Sequence, residues 1–244
     1  MHDSKNYEPS LKQIFMKRND LIFIVCLIIF FLPFFLSDTV FDAYSNFNKA
    51  HGMIMSFIKF AILATLGEVL GLRVSQGVYN RKGFGIIPRA LVWGFLGLCI
   101  KMAFMVFIIG TPKFLEYMGL EGASAAMKGG FTLTKLMVAF SISVLLNTIF
   151  APVMMTFHKI TDAHITHTGG SLSGFLTPIN FAERFKGINW DIQWGFVFKK
   201  TIPFFWYPAH TITFLLPSEY QVLFAALLGV ALGLILAFAS LKKK

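Results

Sequence analysis

Charge is scarce in this chain, and acidic charge scarcer still. Only 14% of its 244 residues are Asp, Glu, Lys or Arg, 56% are hydrophobic, and 12 acids face 22 bases. A soluble protein of this length needs a more polar surface than that, so the composition excludes the ordinary soluble classes. Cysteine is limited to Cys26 and Cys99, both within apolar runs where a thiol serves as a small apolar filler, which excludes a disulfide framework. Enzymatic signatures are missing too: the chain has no Gly-x-Ser-x-Gly elbow, no His-Glu-x-x-His pair, no phosphate loop and no pair of intramembrane aspartates. Neither a solenoid repeat nor a clear inverted symmetry of the two halves is present.

What the chain does have is six apolar segments, Leu21–Leu36, Ile54–Leu72, Ile86–Ile109, Phe131–Phe157, Phe196–Leu216 and Gln221–Leu241. Most approach the ~20 residues a helix needs to cross a bilayer. The basic residues follow the same division. Lys5, Lys12, Lys17, Arg18, Arg73, Arg81, Lys82, Arg89, Lys159, Arg184, Lys186, Lys199, Lys200 and Lys242, Lys243 and Lys244 fall on one side of a six-pass arrangement, whereas the other side holds Lys49, Lys113, Lys128 and Lys135. The positive-inside rule then places both termini in the cytoplasm. The expected fold is all-α, a polytopic integral membrane bundle of about six helices. A net charge of +10 distributed in short groups beside apolar helices points to anionic lipid headgroups and not to nucleic acid.

The expected organisation is a basic segment over residues 1–20, one transmembrane domain over 21–241 containing a long cytoplasmic loop at 158–195, and a basic tail at 242–244. Leu11, Ile14 and Phe15 alternate with Lys12, Lys17 and Arg18 at the spacing of a helix lying in the interface. No small-x-small cleavage site follows the first apolar run, so it reads as a retained span with a kink at Pro33. The stretches 37–53 and 110–130 read as modest loops. Trp190 and Trp194 share a helical face and suit an aromatic anchor leading into the fifth span.

Small residues mark where helices approach each other. Gly67 and Gly71 form one small-xxx-small pair, and Ala225, Gly229, Gly233 and Ala237 form a stripe down the last span, suited to packing within the chain, to a homo-oligomer or to another membrane protein. Pro203 and Pro208 remove helical hydrogen bonds from the fifth span, which predicts a structural kink around Trp206 and Pro208 against a neighbour or a wet cavity.

The stretch Trp206-Tyr207-Pro208-Ala209-His210-Thr211-Ile212-Thr213-Phe214-Leu215-Leu216-Pro217, followed by an apolar helix, resembles the signature of the Mpv-type peroxisomal and mitochondrial inner-membrane protein family. Trp206 and Phe214 keep its spacing, but His210 replaces a Gln, Thr213 replaces an Asn, Pro217 comes one residue early and Gln221 stands where an Arg is expected. Upstream, Gly71 with Ser75-Gln76, and Arg89 with Gly97, match further elements, although Leu72 replaces an acid. The resemblance covers about residues 60–241. It implies a weakly selective pore for small solutes, with two helical segments beyond the family's four. Composition rich in Phe, Ile and Lys favours a bacterial inner membrane over the mitochondrial or peroxisomal location that the family name carries.

Ionisable and amide groups inside spans are costly and mark functional candidates, here Lys59, Glu68, Arg89, Lys101, Asn147 and His210. Glu68 lies about a turn from the cytoplasmic end of its helix, at the depth of Arg89 on the next, so Arg89 is its expected partner. Lys101 sits some twelve residues, or ~18 Å, farther out. His158, Asp162, His164 and His167 have spacings that suit a metal site at the cytoplasmic mouth of the fourth helix. No other cofactor is implied. Three function classes follow: a channel or transporter for small solutes first, a structural or accessory subunit of a membrane complex second, and a membrane enzyme using the histidine cluster third.

Overall fold

The computed structural model describes residues 17–242, so most of the 1–20 segment, including Leu11, Ile14 and Phe15, and the last two lysines of the tail lie outside the described residues. Every regular element described is helical: α1 (Arg18–Leu36), α2 (Asp38–Ala50), α3 (Gly52–Gln76), α4 (Ile86–Tyr117), α5 (Ala123–Lys128), α6 (Leu133–His167), α7 (Leu172–Phe175), α8 (Phe181–Lys186), α9 (Trp190–Ile192), a π-helical stretch Gln193–Trp206, α10 (Tyr207–Leu215) and α11 (Ser218–Lys242). Five of these, α1, α3, α4, α6 and α11, are long and apolar enough to cross a bilayer. The sixth pass is composite, because the π-helical stretch runs straight into α10. The chain is a multi-pass helical membrane protein.

Helix α3 occupies the centre of the bundle, packed against α4 on one side and α11 on the other, and α6 joins α4 to α10. The α3–α4 seam is a glycine groove. Side-chain Cβ atoms at Gly94 and Gly97 would stand 2.6 Å and 2.7 Å from Phe57 and Phe60, so only glycine admits those rings. Ser56 then reaches the carbonyl of Gly97, donating from Oγ at 2.6 Å. Such close approach matters in lipid, where apolar surface alone does not drive helices together.

On the other side of α3, Gly67 and Gly71 meet the α11 stripe. A Cβ at Gly67 would lie 2.9 Å from the Val230 Cα, and one at Gly233 3.3 Å from the Gly67 carbonyl. The Gly67/Gly71 and Gly229/Gly233 faces, which the sequence also offered to a partner, are thus used on each other within one chain.

Three segments are more ordered than the sequence pattern indicates. Residues 38–50, expected as loop, form α2, capped by Ser37, whose Oγ accepts from the Val40 amide. Helix α4 continues past Ile109 to Tyr117, and α6 past Phe157 to His167. At ~52 Å for its 35 residues, α6 exceeds a hydrocarbon core of ~30 Å, so its last turns stand clear of the membrane. They stay helical because Ile160, Thr161, His164 and Ile165 recur at helical spacing and are buried, Ile165 against Val92 and Leu96 of α4.

In place of a simple kink, the fifth pass winds as a π-helix up to Trp206 and as an α-helix from Tyr207. Pro203 and Pro208 are five residues apart, the period of π-helical hydrogen bonding. Ser143 of α6 braces the junction, its Oγ donating to the Tyr207 carbonyl at 2.8 Å.

Helix α1 stands apart. None of its residues is buried, and it is fixed to the bundle near its two ends. At the inner end Arg73 donates from Nε to Asp20 at 2.6 Å, Tyr79 donates to the same carboxylate at 2.7 Å, and Phe23 stacks on Tyr79 at 4.7 Å. At the outer end Phe34 meets Tyr44 of α2 edge to face.

Candidate functional site

Between α3, α4, α6, the π-helical stretch, α10 and α11 lies a cavity of about 730 Å³. Ser75, Gln76, Lys159 and Asp162 line it at the end where the basic residues cluster, and Asn147, Trp206 and His210 line it toward the bundle centre. Asp162 and Asn147 are fifteen residues apart on α6, which places the cavity's depth near ~22 Å. Beyond it, Val138, Ala139, Ile142, Phe214 and Ala226 form a packed core at 1% exposure or less, away from the end where the basic residues cluster.

Near the mouth, α3, α6 and the loop before α4 converge on Arg89. Its Nη1 donates to Glu68 Oε2 at 2.6 Å, its Nη2 pairs with Asp162, and its Nε donates to the Phe84 carbonyl at 2.7 Å. The Phe84 ring lies 4.5 Å from the guanidinium carbon. The other carboxylate oxygen of Glu68 accepts from Trp93 Nε1 at 3.0 Å and lies 3.1 Å from His158 Nε2. Glu68 is therefore held by α4 and α6 together. Two carboxylates face one guanidinium, and the His158 imidazole stands against Glu68 as a further polar partner. The convergence follows from helix spacing: Arg89 and Trp93 are four residues apart, as are His158 and Asp162, and each pair shares a face.

The deep end carries no formal charge. Asn147 is 1% exposed; its Nδ2 donates to the Ser143 carbonyl at 2.8 Å and lies 2.9 Å from His210 Nδ1. Trp206 stacks obliquely on His210 at 5.0 Å, and Phe104 meets the same ring edge-on at 5.7 Å. Of the residues lining the cavity, Gln193 and Trp206 each hold a shielded donor, Nε2 and Nε1, without a protein partner among the described residues. They are the first and last residues of the π-helical stretch.

The sequence candidates therefore separate into groups. Glu68, Arg89, Asn147 and His210 line one cavity, joined by Trp206 from the expected kink, while Pro208 is exposed on α10. Lys59 belongs to the outer end, where it is 6% exposed, donates to Asn48 of α2 at 2.6 Å and faces the Tyr44 ring. Lys101 does not line the cavity; its side chain packs beside Gly52 at the start of α3.

The four-residue metal set does not converge. His158 and Asp162 are committed to Glu68 and Arg89, His164 Nε2 lies 3.3 Å from the Phe175 carbonyl, and His167 is exposed. Among the described residues no group of three or more His, Cys, Asp or Glu surrounds a metal position. The i, i+4 spacing brought His158 and Asp162 to one face, but that face meets Arg89. Sequence reasoning missed Asp20, Trp93 and Gln193. For Trp93 the signal was its placement one turn after Arg89.

No protein-family model, curated protein or solved structure matches the chain. The functional reading starts from the geometry of the cavity.

Proposed function

We propose that the protein moves small solutes across its membrane through this cavity, as a transporter or gated channel held here with its inner end open. The single observation that carries the reading is a cavity entering from the basic-rich side and ending against packed apolar side chains near the bundle centre. Its volume, about 730 Å³, falls within the ~300–1,000 Å³ of small-molecule sites. A bundle whose only role was to hold its own helices together would fill that space with side chains. Ionisable groups inside a membrane bundle face its interior or a water-filled cavity and mark solute and ion pathways. The resemblance to the Mpv-type family agrees with a solute pathway, and the chain's composition suits a bacterial inner membrane.

The accessory-subunit reading draws on glycine faces that α3 and α11 already use on each other, and the enzyme reading on histidines that do not converge. Proteoliposomes containing the purified chain, challenged with charged and uncharged solutes and followed by stopped-flow light scattering, test the proposal. Protein-dependent flux of at least one solute is expected; rates equal to protein-free vesicles for every solute would overturn it.

A further inference from the structure

We infer that the cavity opens sideways into the leaflet on the basic-rich side, through the seam between the π-helical stretch and α11, and admits an acyl chain of a membrane phospholipid by that route. The inference rests on the transport reading and adds the class of solute, an amphiphile that enters from the bilayer.

The walls are the first observation. Neighbouring helices around the cavity are packed on each other in turn: α11 on α3, α3 on α4, α4 on α6, and α6 on both the π-helical stretch and α10. The π-helical stretch and α11 line the cavity too, through Val197 and Trp206 on one side and Gly229 and Leu232 on the other, yet among the described residues these two walls are not packed together. Only α10 joins them, at the outer side, where it turns into α11. The α11 wall is itself open, since a Cβ at Gly229 would meet nothing within 4 Å among the described residues.

What lies outside the seam is the second observation. Trp194, Phe196 and Phe204 of the π-helical stretch and Ile235 and Phe238 of α11 are large apolar side chains exposed on the bundle surface, so both walls stand in hydrocarbon. Lipid tails are as apolar as these side chains, and a gap between two helices in hydrocarbon is filled by them. Lys199 and Lys200 are exposed on the same stretch, and the Lys199 ammonium lies 6.0 Å from the Trp194 ring centre, the aromatic and basic pairing that marks headgroup depth. A headgroup held there has its chain level with the seam. The chains of one leaflet reach ~15 Å, half of a ~30 Å hydrocarbon core, and the ~22 Å depth of the cavity accommodates them. Ala64, Phe150, Ala151, Met154 and Leu232 give that depth an apolar lining.

A photoactivatable phosphatidylcholine with a diazirine at the end of one acyl chain, cross-linked to the full chain in liposomes and mapped residue by residue by mass spectrometry, reads the inference directly. Leu146 and Ala151 of α6 line the cavity at 2% and 4% exposure, whereas Ile149 and Val153 of the same helix are 59% and 69% exposed. Label on all four is expected, because a chain inside the cavity reaches the first pair and bulk lipid reaches the second. Gly229→Phe, which fills the open α11 wall, should lower the label at Leu146 and Ala151 at least fivefold and leave Ile149 and Val153 unchanged. Label confined to Ile149 and Val153 in the wild type would overturn the inference, and undiminished label at Leu146 and Ala151 in Gly229→Phe would overturn entry through the seam. If that variant does not fold, Val197→Trp on the opposite wall takes its place, and if neither folds the wild-type pattern decides alone. Label at Leu146 and Ala151 in a protein that moves no solute upholds the lipid site and overturns the transport reading beneath it; solute flux without that label overturns the inference and sustains transport.

Discussion

Arg89 of α4 and Glu68 of α3 meet at 2.6 Å inside the bundle, side chains 9% and 20% exposed, and the guanidinium takes Asp162 of α6 on its remaining arm. Three helices are tied by one cation. Because the arrangement lies at the cavity mouth, the same contacts that fix the helices also shape the entrance.

This geometry sets an order among substitutions. Arg89→Gln leaves two carboxylates without their countercharge and should cost about 3–5 kcal/mol, the usual penalty for breaking a buried pair. Glu68→Gln should cost less, since Arg89 keeps Asp162 and the Phe84 carbonyl. Thermal unfolding in detergent of the two single variants and the double variant checks this, and the double variant should be more stable than the sum of the single losses implies. Equal losses for the two single variants would contradict the shared-cation geometry.

The α3–α11 contact predicts an asymmetry between two glycines on facing helices. A Cβ at Gly67 would stand 2.9 Å from the Val230 Cα, whereas one at Gly229 meets nothing within 4 Å among the described residues. Gly67→Ala should therefore destabilise by about 1–3 kcal/mol, the range for forced overpacking, and Gly229→Ala should not. Melting temperatures of both variants in the same detergent give the comparison.

Asn147 and His210 predict a polar coupling at the cavity's deep end. Asn147→Leu leaves His210 Nδ1 without its amide partner, an expected loss of about 1–3 kcal/mol for a stranded buried group. Adding His210→Phe should recover part of it. A double-mutant cycle on chemical unfolding reads the coupling, and strict additivity would show the two side chains to be independent.

The attachment of α1 predicts an alkaline transition. Burial, and then donation to the Asp20 carboxylate, push the Tyr79 hydroxyl up to about 12 from 10.0. A raised folded value means the neutral phenol is the form the fold holds. Its contribution is complete below pH 10 and is lost as the pH rises through about 12. Ultraviolet titration should show the Tyr79 phenol ionising in that upper window, a contribution shifted downward in Asp20→Asn and missing in Tyr79→Phe. The Asp20→Asn variant should also cleave faster under limited proteolysis between α1 and α3.

How much of this was legible in the sequence depends on the solvent each residue meets. Lipid-facing hydropathy and the basic-residue asymmetry mark the spans, and depth along antiparallel neighbours pairs Glu68 with Arg89. Prolines 203 and 208 mark the irregular fifth pass, though not its π-helical winding. Outside the bilayer the pattern is weaker. The turns after Phe157 look polar because they leave the membrane, yet they stay helical because Ile160 and Ile165 find protein to pack against. Asp162 reads as a metal ligand beside His158 until α4 supplies Arg89. Asp20 gives no local signal, since its partners Arg73 and Tyr79 are more than fifty residues away.

The most direct test of the account is the sidedness of the cavity. In a chain with Cys26 and Cys99 replaced by serine, single cysteines at Ala151 and Met155, both lining the cavity, would be exposed to a membrane-impermeant maleimide from either side of oriented vesicles. A third at Ala139, wholly buried in the outer core, serves as the closed reference. The account predicts labelling of the first two from the basic-rich side and no labelling of the third from either side. Labelling of positions 151 and 155 from the opposite side, or from neither side, would contradict an inward-open cavity.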